Sequence, residues 1–551
     1  MPDIFAKREA DRWTLGQALD ARAELTPDAP FLSFRSEPYL SFGAFRAKVA
    51  AAARWLVAHG VMKGENVALA IPNSQEAVVW WFALNIIGAV DAAINPALVG
   101  EPLAHALRLA GVRRILAPAS MLDQVTCVSS TVPTLESFWI IPMDDETVST
   151  LGKVPRLGLE TARPALSDGD GPLPGGGATP GDVATIMYTS GTTGPAKAVQ
   201  MTHAQVFVVA ELTRQGLWLS SNDTIFCAHP LFHMAGRDCG VLPCLLTGGR
   251  LALETRFEPS AWVDRIIATG ATATLMHGPL IEMVYAQPAR PEDGQMSLTR
   301  LGTSPFPRHI AHAFEKRFGV RGIETWGMTE IGIPAWHPAD EVLRPGSCGK
   351  IRDEWYQFRV ADPQTDHEVP DGTVGEFQIR PRRPGVISPG YFGAPQETLD
   401  SRRNLWFHTG DFGHRDAEGW LWFSGRASER IRRRAENISA YDIEYAANRC
   451  GGVQESAAIG VPSEFESDDD ILLCLILAPD ADASDPLDIL RSMAKSLPHH
   501  MLPRYIDIKG EFPRSTTGKI RKDTLRETFD PARIWDRVER NIAVRSLYAG
   551  T

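Results

Sequence analysis

The chain has 551 residues, of which 44% are hydrophobic and 22% charged, and its formal net charge is −11. This length predicts more than one domain, and the acidic balance argues against a general nucleic-acid binder, whose surface is basic. The seven cysteines are scattered and form no Cys-x-x-Cys pair, so a reduced, cytoplasmic protein is expected rather than a disulfide framework or zinc site. No signal peptide is expected, because a basic start followed by an apolar stretch is missing.

Helices and strands alternate along the first part of the chain. Apolar residues at three- and four-residue spacing predict a helix over 42–59, with Gly60 as its C-cap. A strand at 66–71, an apolar helix at 77–90, a helix near 102–110 and a strand at 114–117 follow. The apolar helix is too short to span a membrane and is expected in the core. The alternation predicts a largely parallel α/β sheet.

A hydroxyl- and glycine-rich segment then follows a short apolar strand. The strand covers 183–188, after a Gly/Pro-rich loop at 168–181, and the segment reads Thr189-Ser-Gly-Thr-Thr-Gly-Pro-Ala-Lys197. Glycines let backbone N–H groups approach phosphate oxygens, hydroxyls add donors and the lysine adds positive charge. The spacing differs from the GxxxxGK[ST] loop of P-loop NTPases. The segment therefore predicts a polyphosphate-binding loop of another kind.

The pattern resumes after this loop and changes near residue 346. We predict helices at 203–216, 235–247 and 259–269, alternating with strands at 224–228, 250–253 and 272–275. From 346 to 425, short alternating runs separated by Gly and Pro turns predict a small β-rich subdomain. A charged stretch and a βα region follow. We place the boundary near 428, giving domains 1–427 and 428–551.

Several further motifs carry chemistry suited to a nucleotide. Trp326-Gly-Met-Thr-Glu330 offers an aromatic ring, a hydroxyl and a carboxylate that suits Mg²⁺. Phe407-His-Thr-Gly-Asp411 ends in an aspartate able to accept hydrogen bonds from ribose. Pro513-Arg-Ser-Thr-Thr-Gly-Lys-Ile520 holds a lysine at a glycine turn, and a histidine ends His229-Pro-Leu-Phe-His233. These residues suit the binding of a nucleotide and its phosphates.

Together the motifs identify a family resemblance. The chain resembles acyl-CoA synthetases of the adenylate-forming superfamily, which includes firefly luciferase and peptide-synthetase adenylation domains. The resemblance covers nearly the whole length, and the motifs follow one another in the order that is usual for the family. Phe318-Gly-Val-Arg321, the segment ending at Glu330 and Arg433-Arg-Ala-Glu-Asn-Ile-Ser439 are similar to the carnitine/crotonobetaine-CoA ligases. The resemblance implies an α/β fold: a large N-terminal domain of α/β sheets with a small β-rich subdomain, then a small mobile α+β C-terminal domain hinged near Ser428.

The resemblance also implies residue roles. ATP or AMP is expected at Thr189, Ser190, Gly191, Thr192, Thr193, Gly194 and Lys197, at Gly302, Thr303 and Ser304 of an adenine turn, and at Trp326, Asp411 and Arg426. Catalytic roles fall to Lys519, Thr329, Glu330 and His233, which would gate the acyl channel. Mg²⁺ is assigned to Glu330, and coenzyme A to the region of Ala435 and Glu436.

The implied reaction is a two-step ligation. A carboxylic acid attacks the α-phosphate of ATP to give an acyl-adenylate, and a thiol then displaces AMP, each step in its own orientation of the small domain. Coenzyme A is the first choice of acceptor and a carrier-protein phosphopantetheine the alternative. Nucleic acid and membrane spans are not expected as part of this function, and a homodimer is left open. A non-catalytic nucleotide-binding protein is disfavoured by the retained polar residues.

Departures from the family pattern concentrate near the nucleotide and thiol paths. Ala198 and Ala435 stand where glycine is usual, Trp326 stands where tyrosine is usual, and the turn at 302–307 is altered. These changes permit an enzyme specialised for one half-reaction. The acyl pocket is predicted to include 233–238, 277–280, Phe306 and 331–335. Within it, Asp238 has three open interpretations: a cationic substrate as partner, Arg237 as partner, or exposure to solvent.

Overall fold

A computed structural model describes most of the chain. It covers residues 13–143, 157–165, 169, 171–175, 177–189, 196–338, 340–426, 431–433, 436–438, 440–463, 469–478, 485–515 and 518–548, with only the backbone described at 432, 433, 436 and 437. The predicted phosphate-loop residues Ser190, Gly191, Thr192, Thr193 and Gly194, the predicted hinge at Ser428, Ala435 and the side chain of Glu436 lie outside the described part.

The strands up to residue 426 supply three sheets of the described chain. They are β1 (Pro30–Phe34), β2 (Leu40–Ser41), β3 (Asn66–Leu69), β4 (Val90–Ala93), β5 (Arg114–Ala117), β6 (Ser137–Ile140), β7 (Gly158–Thr161), β8 (Val183–Thr189), β9 (Lys197–Thr202), β10 (Thr224–Cys227), β11 (Arg250–Leu253), β12 (Ala273–Met276), β13 (Arg300–Thr303), β14 (Arg321–Met328), β15 (Gly332–Trp336), β16 (Lys350–Ile351), β17 (Tyr356–Ala361), β18 (Gly375–Pro381), β19 (Gly390–Tyr391), β20 (Phe407–Arg415) and β21 (Leu421–Arg426).

The helices of the same region connect and cover these strands. They are α1 (Leu15–Leu25), α2 (Phe42–Ala58), α3 (Gln75–Ile86), α4 (Gly100–Leu109), α5 (Leu122–Ser129), α6 (His203–Gly216), α7 (Met234–Gly236), α8 (Leu242–Thr247), α9 (Trp262–Thr269), α10 (Gly278–Tyr285), α11 (Ala311–Phe318) and α12 (Pro395–Asp400). The helix predicted at 235–247 is present but contains a π-helical segment, Arg237–Val241, between α7 and α8. The helix predicted at 77–90 ends at Ile86, and the strand β4 that begins at Val90 was not predicted. The other helices and strands predicted between 42 and 275 are present in the predicted order.

Two large mixed sheets organise the first 350 residues of the described chain. One has the order β16-β15-β14-β13-β12-β10-β11-β1-β2 and the other β19-β9-β8-β4-β3-β5-β6-β7. Their central pairs are parallel, and antiparallel strands are added at the edges. This is the parallel α/β arrangement that the sequence predicts, and it places the carboxyl ends of neighbouring strands side by side.

Helix α3 forms the apolar centre between the two sheets. It contacts β1 of one sheet and β3 and β4 of the other. From Ala77 to Ile86 every residue of α3 is buried, including Trp80 and Trp81. A helix that is apolar on all faces is stable only when it is surrounded, which explains its central position. No helix in the described ranges is long and apolar enough to cross a membrane.

A third sheet forms most of the predicted β-rich subdomain. Its order is β17-β18-β20-β21, and β21 pairs with β20 so that Arg426 lies opposite Asp411. Two short strands from the same part of the chain belong elsewhere, because β16 pairs with β15 and β19 with β9. The segment therefore ties the small sheet to both large ones.

The described residues after 430 form a separate α+β unit. Its strands are β22 (Ile431–Arg433), β23 (Glu436–Ile438), β24 (Val453–Pro462), β25 (Asp469–Leu477), β26 (Tyr505–Ile508) and β27 (Trp535–Asp536), and its helices are α13 (Ala440–Asn448), α14 (Pro486–Ala494) and α15 (Lys522–Glu527). The sheet β24-β25-β26-β27 packs its own apolar cores against these helices. The exact boundary near 428 stays a prediction.

The buried carboxyl of Glu324 gives the stability of the large domain a pH dependence. Burial in β14 raises its pKa from near 4.5 to about 8, although its Oε2 accepts a hydrogen bond of 3.1 Å from the Gly346 N–H. The folded state then holds this proton more tightly than the unfolded state does. Its contribution to stability therefore declines as the pH rises from 4.5 through 8.

We expect Glu324→Gln to flatten the dependence of the melting temperature on pH within that window. The measurement is thermal unfolding of the whole protein at a series of pH values. Glu354→Gln, a change at an exposed glutamate of the same domain, is the matched control and is expected to follow the unmodified protein. Parallel curves for Glu324→Gln and the unmodified protein would contradict the assignment.

Candidate active site

Three neighbouring parallel strands end at one pocket. Strands β10, β12 and β13 are adjacent, and beyond their carboxyl ends lie His229, His277 and Ser304. In open α/β sheets, ligands bind outside the carboxyl ends of the strands. The predicted adenine turn that begins at Gly302 and the predicted acyl-pocket residues after His277 therefore lie side by side.

Three histidines pack against one another at this pocket. The His277 ring lies edge-on to His229, with centroids 4.9 Å apart, and to His233, with centroids 6.0 Å apart. The His229 ring hydrogen-bonds the Leu275 carbonyl at 3.1 Å, and His233 Nδ1 accepts the Ala235 N–H at 3.1 Å. His277 Nε2 is buried, and no hydrogen-bond partner exists for it within the described residues.

All three imidazoles are neutral at physiological pH. Burial lowers the pKa of His229 to about 4 and that of His233 to about 3, and it holds the pKa of His277 well below its ordinary value. The proximity of these rings to one another reinforces the effect for His233 and His277. The cluster consequently offers ring nitrogens for hydrogen bonding but no formal charge.

A loop of the small domain approaches the same pocket. Gly518 adopts φ +82, a left-handed conformation that glycine tolerates, and a Cβ there would lie 3.4 Å from Leu280 Cδ2. The next residue is Lys519, whose positive charge contributes to the lowered pKa of His233 and His277. Its backbone N–H donates to Ser515 Oγ at 3.1 Å, which closes the loop. The structure thus brings the predicted catalytic lysine and the predicted gate together.

Asp238 lies deep in the predicted pocket wall, on the π-helical segment Arg237–Val241. It is 0% exposed, and neither of its carboxyl oxygens has a hydrogen-bond partner in the described parts of the chain. Arg237 instead forms a buried ion pair with Asp91 and stacks over Trp81 at 4.8 Å. Burial holds the pKa of Asp238 well above its ordinary value and so disfavours the charged carboxylate. Exposure to solvent is excluded, and burial disfavours the charged carboxylate that a cationic substrate would need as its partner.

The predicted ribose-binding aspartate is held between two donors. Asp411 Oδ2 accepts the indole N–H of Trp326 at 2.7 Å, and Oδ1 accepts the Nε–H of Arg426 at 2.9 Å. Trp326 is 4% exposed and meets Phe358 and Phe377 edge-on. Stacking of Trp326 on adenine stays a prediction, and the contact that the structure shows is orientation of the carboxylate. A carboxylate oxygen can accept more than one hydrogen bond, so these contacts are compatible with the predicted binding of ribose.

The predicted metal ligand lies between two sheets. Glu330 follows β14, and its Oε1 accepts a hydrogen bond from the Tyr391 hydroxyl at 3.0 Å. The ammonium of Lys197, at the start of β9, lies 4.8 Å from the centroid of the Tyr391 ring. Burial raises the pKa of Glu330, and its Oε2 is buried without a hydrogen-bond partner in the part of the chain described. This constellation brings a hard oxygen ligand and the predicted phosphate-binding lysine to the same tyrosine.

The other predicted contacts fall around this constellation. Thr189 lies opposite Lys197 in the β8–β9 pair, and the Thr329 carbonyl accepts from Gln205 Nε2 at 2.8 Å. Thr303 Oγ1 donates to the Pro305 carbonyl at 2.8 Å, which shapes the turn. Ala198 is 1% exposed, has an ordinary backbone conformation and packs into an apolar cluster. Its methyl group therefore fills the core of this sheet, and its φ is not positive.

Comparison with known proteins identifies the family. The family model described as AMP-binding enzyme matches residues 19–392. The chain belongs to the AMP-binding enzyme family. A sulfoacetate–CoA ligase of Cupriavidus necator is 29% identical over 92% of this chain and 96% of its own length. A crotonobetaine/carnitine–CoA ligase of Citrobacter koseri is 27% identical over 93% and 98%. These relatives support the prediction of an AMP-forming acyl-CoA ligase.

Solved structures confirm the fold of this AMP-binding enzyme. An anthranilate CoA ligase, AuaEII, in complex with anthranoyl-AMP gives a TM-score of 0.83 at 22% identity, covering 94% of this chain and 98% of the other. ATP-bound MatB from Rhodopseudomonas palustris gives a TM-score of 0.81 at 23% sequence identity, and the match covers 94% of this chain and 99% of the other. The predicted fold class, a large α/β domain with β-rich and α+β parts, is thereby confirmed.

The AMP-binding enzyme has a donor set that fits Mg²⁺. Within the described ranges no group of three or more His, Cys, Asp or Glu side chains forms a metal cage. The buried Oε2 of Glu330 has no hydrogen-bond partner among the described residues, and Tyr391 contacts both Glu330 and Lys197. Mg²⁺ is commonly held by one or two carboxylates together with substrate phosphates and water. One carboxylate is therefore enough to assign Glu330 as the residue that would hold it.

Tyr391 and Arg308 were not predicted as functional residues of this AMP-binding enzyme, and His277 was named only as part of a pocket wall. Tyr391 lies some 60 residues from Glu330, and Arg308 more than 130 residues from the helix it touches. The signal for His277 was available, because it lies just beyond a predicted strand, as His229 does. The other two contacts arise from tertiary packing and have no local sequence signature.

Proposed function

We propose that this protein is an acyl-CoA ligase that activates a small carboxylic acid with ATP and transfers the acyl group to coenzyme A. One observation supports the proposal: Gly518, the residue before Lys519 in the small domain, packs against Leu280 of the helix that follows His277. In the proposed reaction the acid and the α-phosphate of ATP meet at this site, and a cation there stabilises the negative charge that develops. The names of the relatives agree with this reaction type.

In the first step the acid is joined to AMP. A carboxylate oxygen attacks the α-phosphorus, the bond from that phosphorus to the bridging oxygen breaks, and pyrophosphate leaves. Lys519 stabilises the negative charge that develops, Asp411 fixes the ribose, and Lys197 binds phosphate oxygens. When bound at Glu330, Mg²⁺ neutralises part of the phosphate charge.

In the second step the thiolate of coenzyme A attacks the acyl carbonyl carbon. A carbon–sulfur bond forms, the bond to the AMP oxygen breaks, and the thiol proton passes to solvent. Ala198 packs without strain and Trp326 supports Asp411, so these two departures give no reason to expect a loss of adenylation. We therefore propose that both half-reactions proceed.

The charges of the pocket indicate the substrate class. Burial disfavours the charged forms of His229, His233, His277 and Asp238. Arg237 is paired with Asp91. A charged group on the acyl tail would lose its hydration without gaining a counterion. We propose an acid whose tail carries no charge, in contrast to the sulfoacetate and carnitine named for the relatives.

A carboxylate panel tests the reaction and the substrate class together. The matched pair is γ-butyrobetaine and its uncharged tert-butyl analogue, which have the same shape. Pyrophosphate release and the mass of the CoA ester are measured, with pantetheine and a phosphopantetheinyl carrier protein as alternative acceptors. We expect the uncharged acid to have a kcat/KM at least about tenfold higher, corresponding to about 1.4 kcal/mol.

The outcomes separate the parts of the proposal. Absence of pyrophosphate release with every acid would overturn the ligase function. Release with equal or better use of the charged acid would overturn the substrate class alone. If the enzyme used the carrier protein in preference to coenzyme A, the carrier protein would be the acyl acceptor in place of coenzyme A. The oligomeric state, for which a homodimer is one candidate, is read from light scattering on the same sample.

A further inference from the structure

Arg308 of the large domain reaches across to the small domain. It follows the predicted adenine turn directly, and its guanidinium carbon lies 4.6 Å from the centroid of the Tyr441 ring. Its Nη1 lies 3.9 Å from Asp442 Oδ1. Both partners belong to the first turn of α13. The planar cation is thus stacked on an aromatic ring of the other domain, with a carboxylate beside it.

The large domain holds this guanidinium in place from behind. Arg308 Nη2 donates to the Gly346 carbonyl at 3.2 Å, and the Gly346 N–H donates to Glu324 at 3.1 Å. Gly346 adopts φ +88, and a Cβ added there would lie 1.6 Å from Arg308 Nε. Only glycine leaves room for the side chain. Arg308 is therefore supported on one face by the backbone and covered on the other by Tyr441.

The same side of the large domain receives the loop that carries Lys519. Leu280 of α10 contacts Gly518, and the charges of Glu455, Glu444 and Arg514 all act on Glu282 of that helix. These contacts belong to one docked arrangement of the two domains. Whatever stabilises α13 against the large domain also stabilises the position of the Lys519 loop.

We propose that Arg308 is a positioning residue for the adenylation step, which docks α13 and thereby holds Lys519 at the α-phosphate. The inference rests on the proposed function. Arg308 contacts neither reacting group in this assignment; it acts through Tyr441. Because the contact exists in the arrangement that places Lys519 at the pocket, its loss weakens the step that uses Lys519 there. Transfer from a finished acyl-adenylate to coenzyme A does not draw on this contact.

Two half-reaction assays and one measurement of docking test the proposal. The variants are Arg308→Met, which keeps the length of the side chain, Tyr441→Leu, and the double variant. We expect ATP–pyrophosphate exchange to fall about tenfold in kcat with little change in the KM for ATP, as loss of a desolvated cation–π contact predicts. CoA-ester formation from synthetic acyl-adenylate is expected to stay within about twofold.

The double variant is expected to be no slower than the slower single variant, because both changes remove one contact. Hydrogen exchange of the α13 amides in the full chain is expected to speed up in Arg308→Met. Arg290→Met, at an arginine that pairs with Asp264 of its own domain, is the matched control and is expected to change neither readout.

The outcomes are distinguishable from failure of the ligase function. Faster hydrogen exchange at α13 without any acid-dependent turnover would support the docking role of Arg308 and overturn the proposed ligase function. The role of Arg308 would be overturned by any of three results: unchanged hydrogen exchange at α13, equal losses in both half-reactions, or additive effects of Arg308→Met and Tyr441→Leu.

Discussion

Replacing Lys519 by alanine is expected to lower ATP–pyrophosphate exchange by a factor on the order of 10² to 10³. The loop of Gly518 and Lys519 packs against Leu280 and places a positive charge beside His233 and His277. Removal of one preorganised donor from a developing negative charge typically costs this much in kcat. The measurement is exchange at saturating ATP and acid, with the KM for ATP followed separately.

A lysine elsewhere on the small domain provides the control. Lys509 forms an ion pair of 2.8 Å with Asp507 of β26. The Lys509→Ala variant is expected to catalyse ATP–pyrophosphate exchange at nearly the normal rate. Thioester formation from synthetic acyl-adenylate is expected to be much less affected by Lys519→Ala than exchange is. Loss of both half-reactions to the same extent would show that the lysine supports folding or domain structure instead.

Glu330→Gln is expected to reduce kcat/KM for Mg·ATP by about two orders of magnitude and to raise the Mg²⁺ concentration needed for half-maximal rate. The change keeps the size of the side chain and an oxygen facing Tyr391, but it removes the negative charge that a hard cation requires. Initial rates across a Mg²⁺ titration at fixed ATP measure both effects.

Tyr391→Phe separates the carboxylate from its hydrogen bond. This variant keeps Glu330 charged and keeps the aromatic ring beneath Lys197, so we expect a loss of about tenfold or less. If Glu330→Gln and Tyr391→Phe were equally impaired, the hydrogen bond would be the function of Glu330, and the metal assignment would be wrong.

Much of the fold follows from local patterns. The alternation of helices and strands between 66 and 117 and between 203 and 275 predicted the parallel sheets. A buried strand or an amphipathic helix can be recognised in this way because its hydrophobic pattern lies in consecutive residues. The π-helical segment Arg237–Val241 was missed, because helical spacing does not distinguish i+4 from i+5 bonding over one turn. The partners of β16 and β19 were missed because two-residue strands have no periodicity.

The site shows the same division. Lys519, Glu330 and Asp411 were predicted from motifs, because each lies in a short segment with recognisable chemistry. What each side chain contacts was not predictable: Trp326 orients Asp411, Tyr391 holds Glu330, and Asp238 has no partner among the described residues. Such contacts join segments that are distant in the chain, and only the packing of the sheets brings them together.

The two-residue strand β19 couples the packing of the sheets to nucleotide affinity. It is paired with β9, which begins at Lys197, while Tyr391 at its end holds Glu330 at the edge of the other large sheet. The predicted phosphate-binding lysine and the predicted metal ligand consequently both contact one tyrosine, which links the two sheets along the seam between them. We expect a substitution that shifts β19 to change the distance between Lys197 and Glu330. The dissociation constant for Mg·ATP is thus a sensitive gauge of how well the large domain is packed.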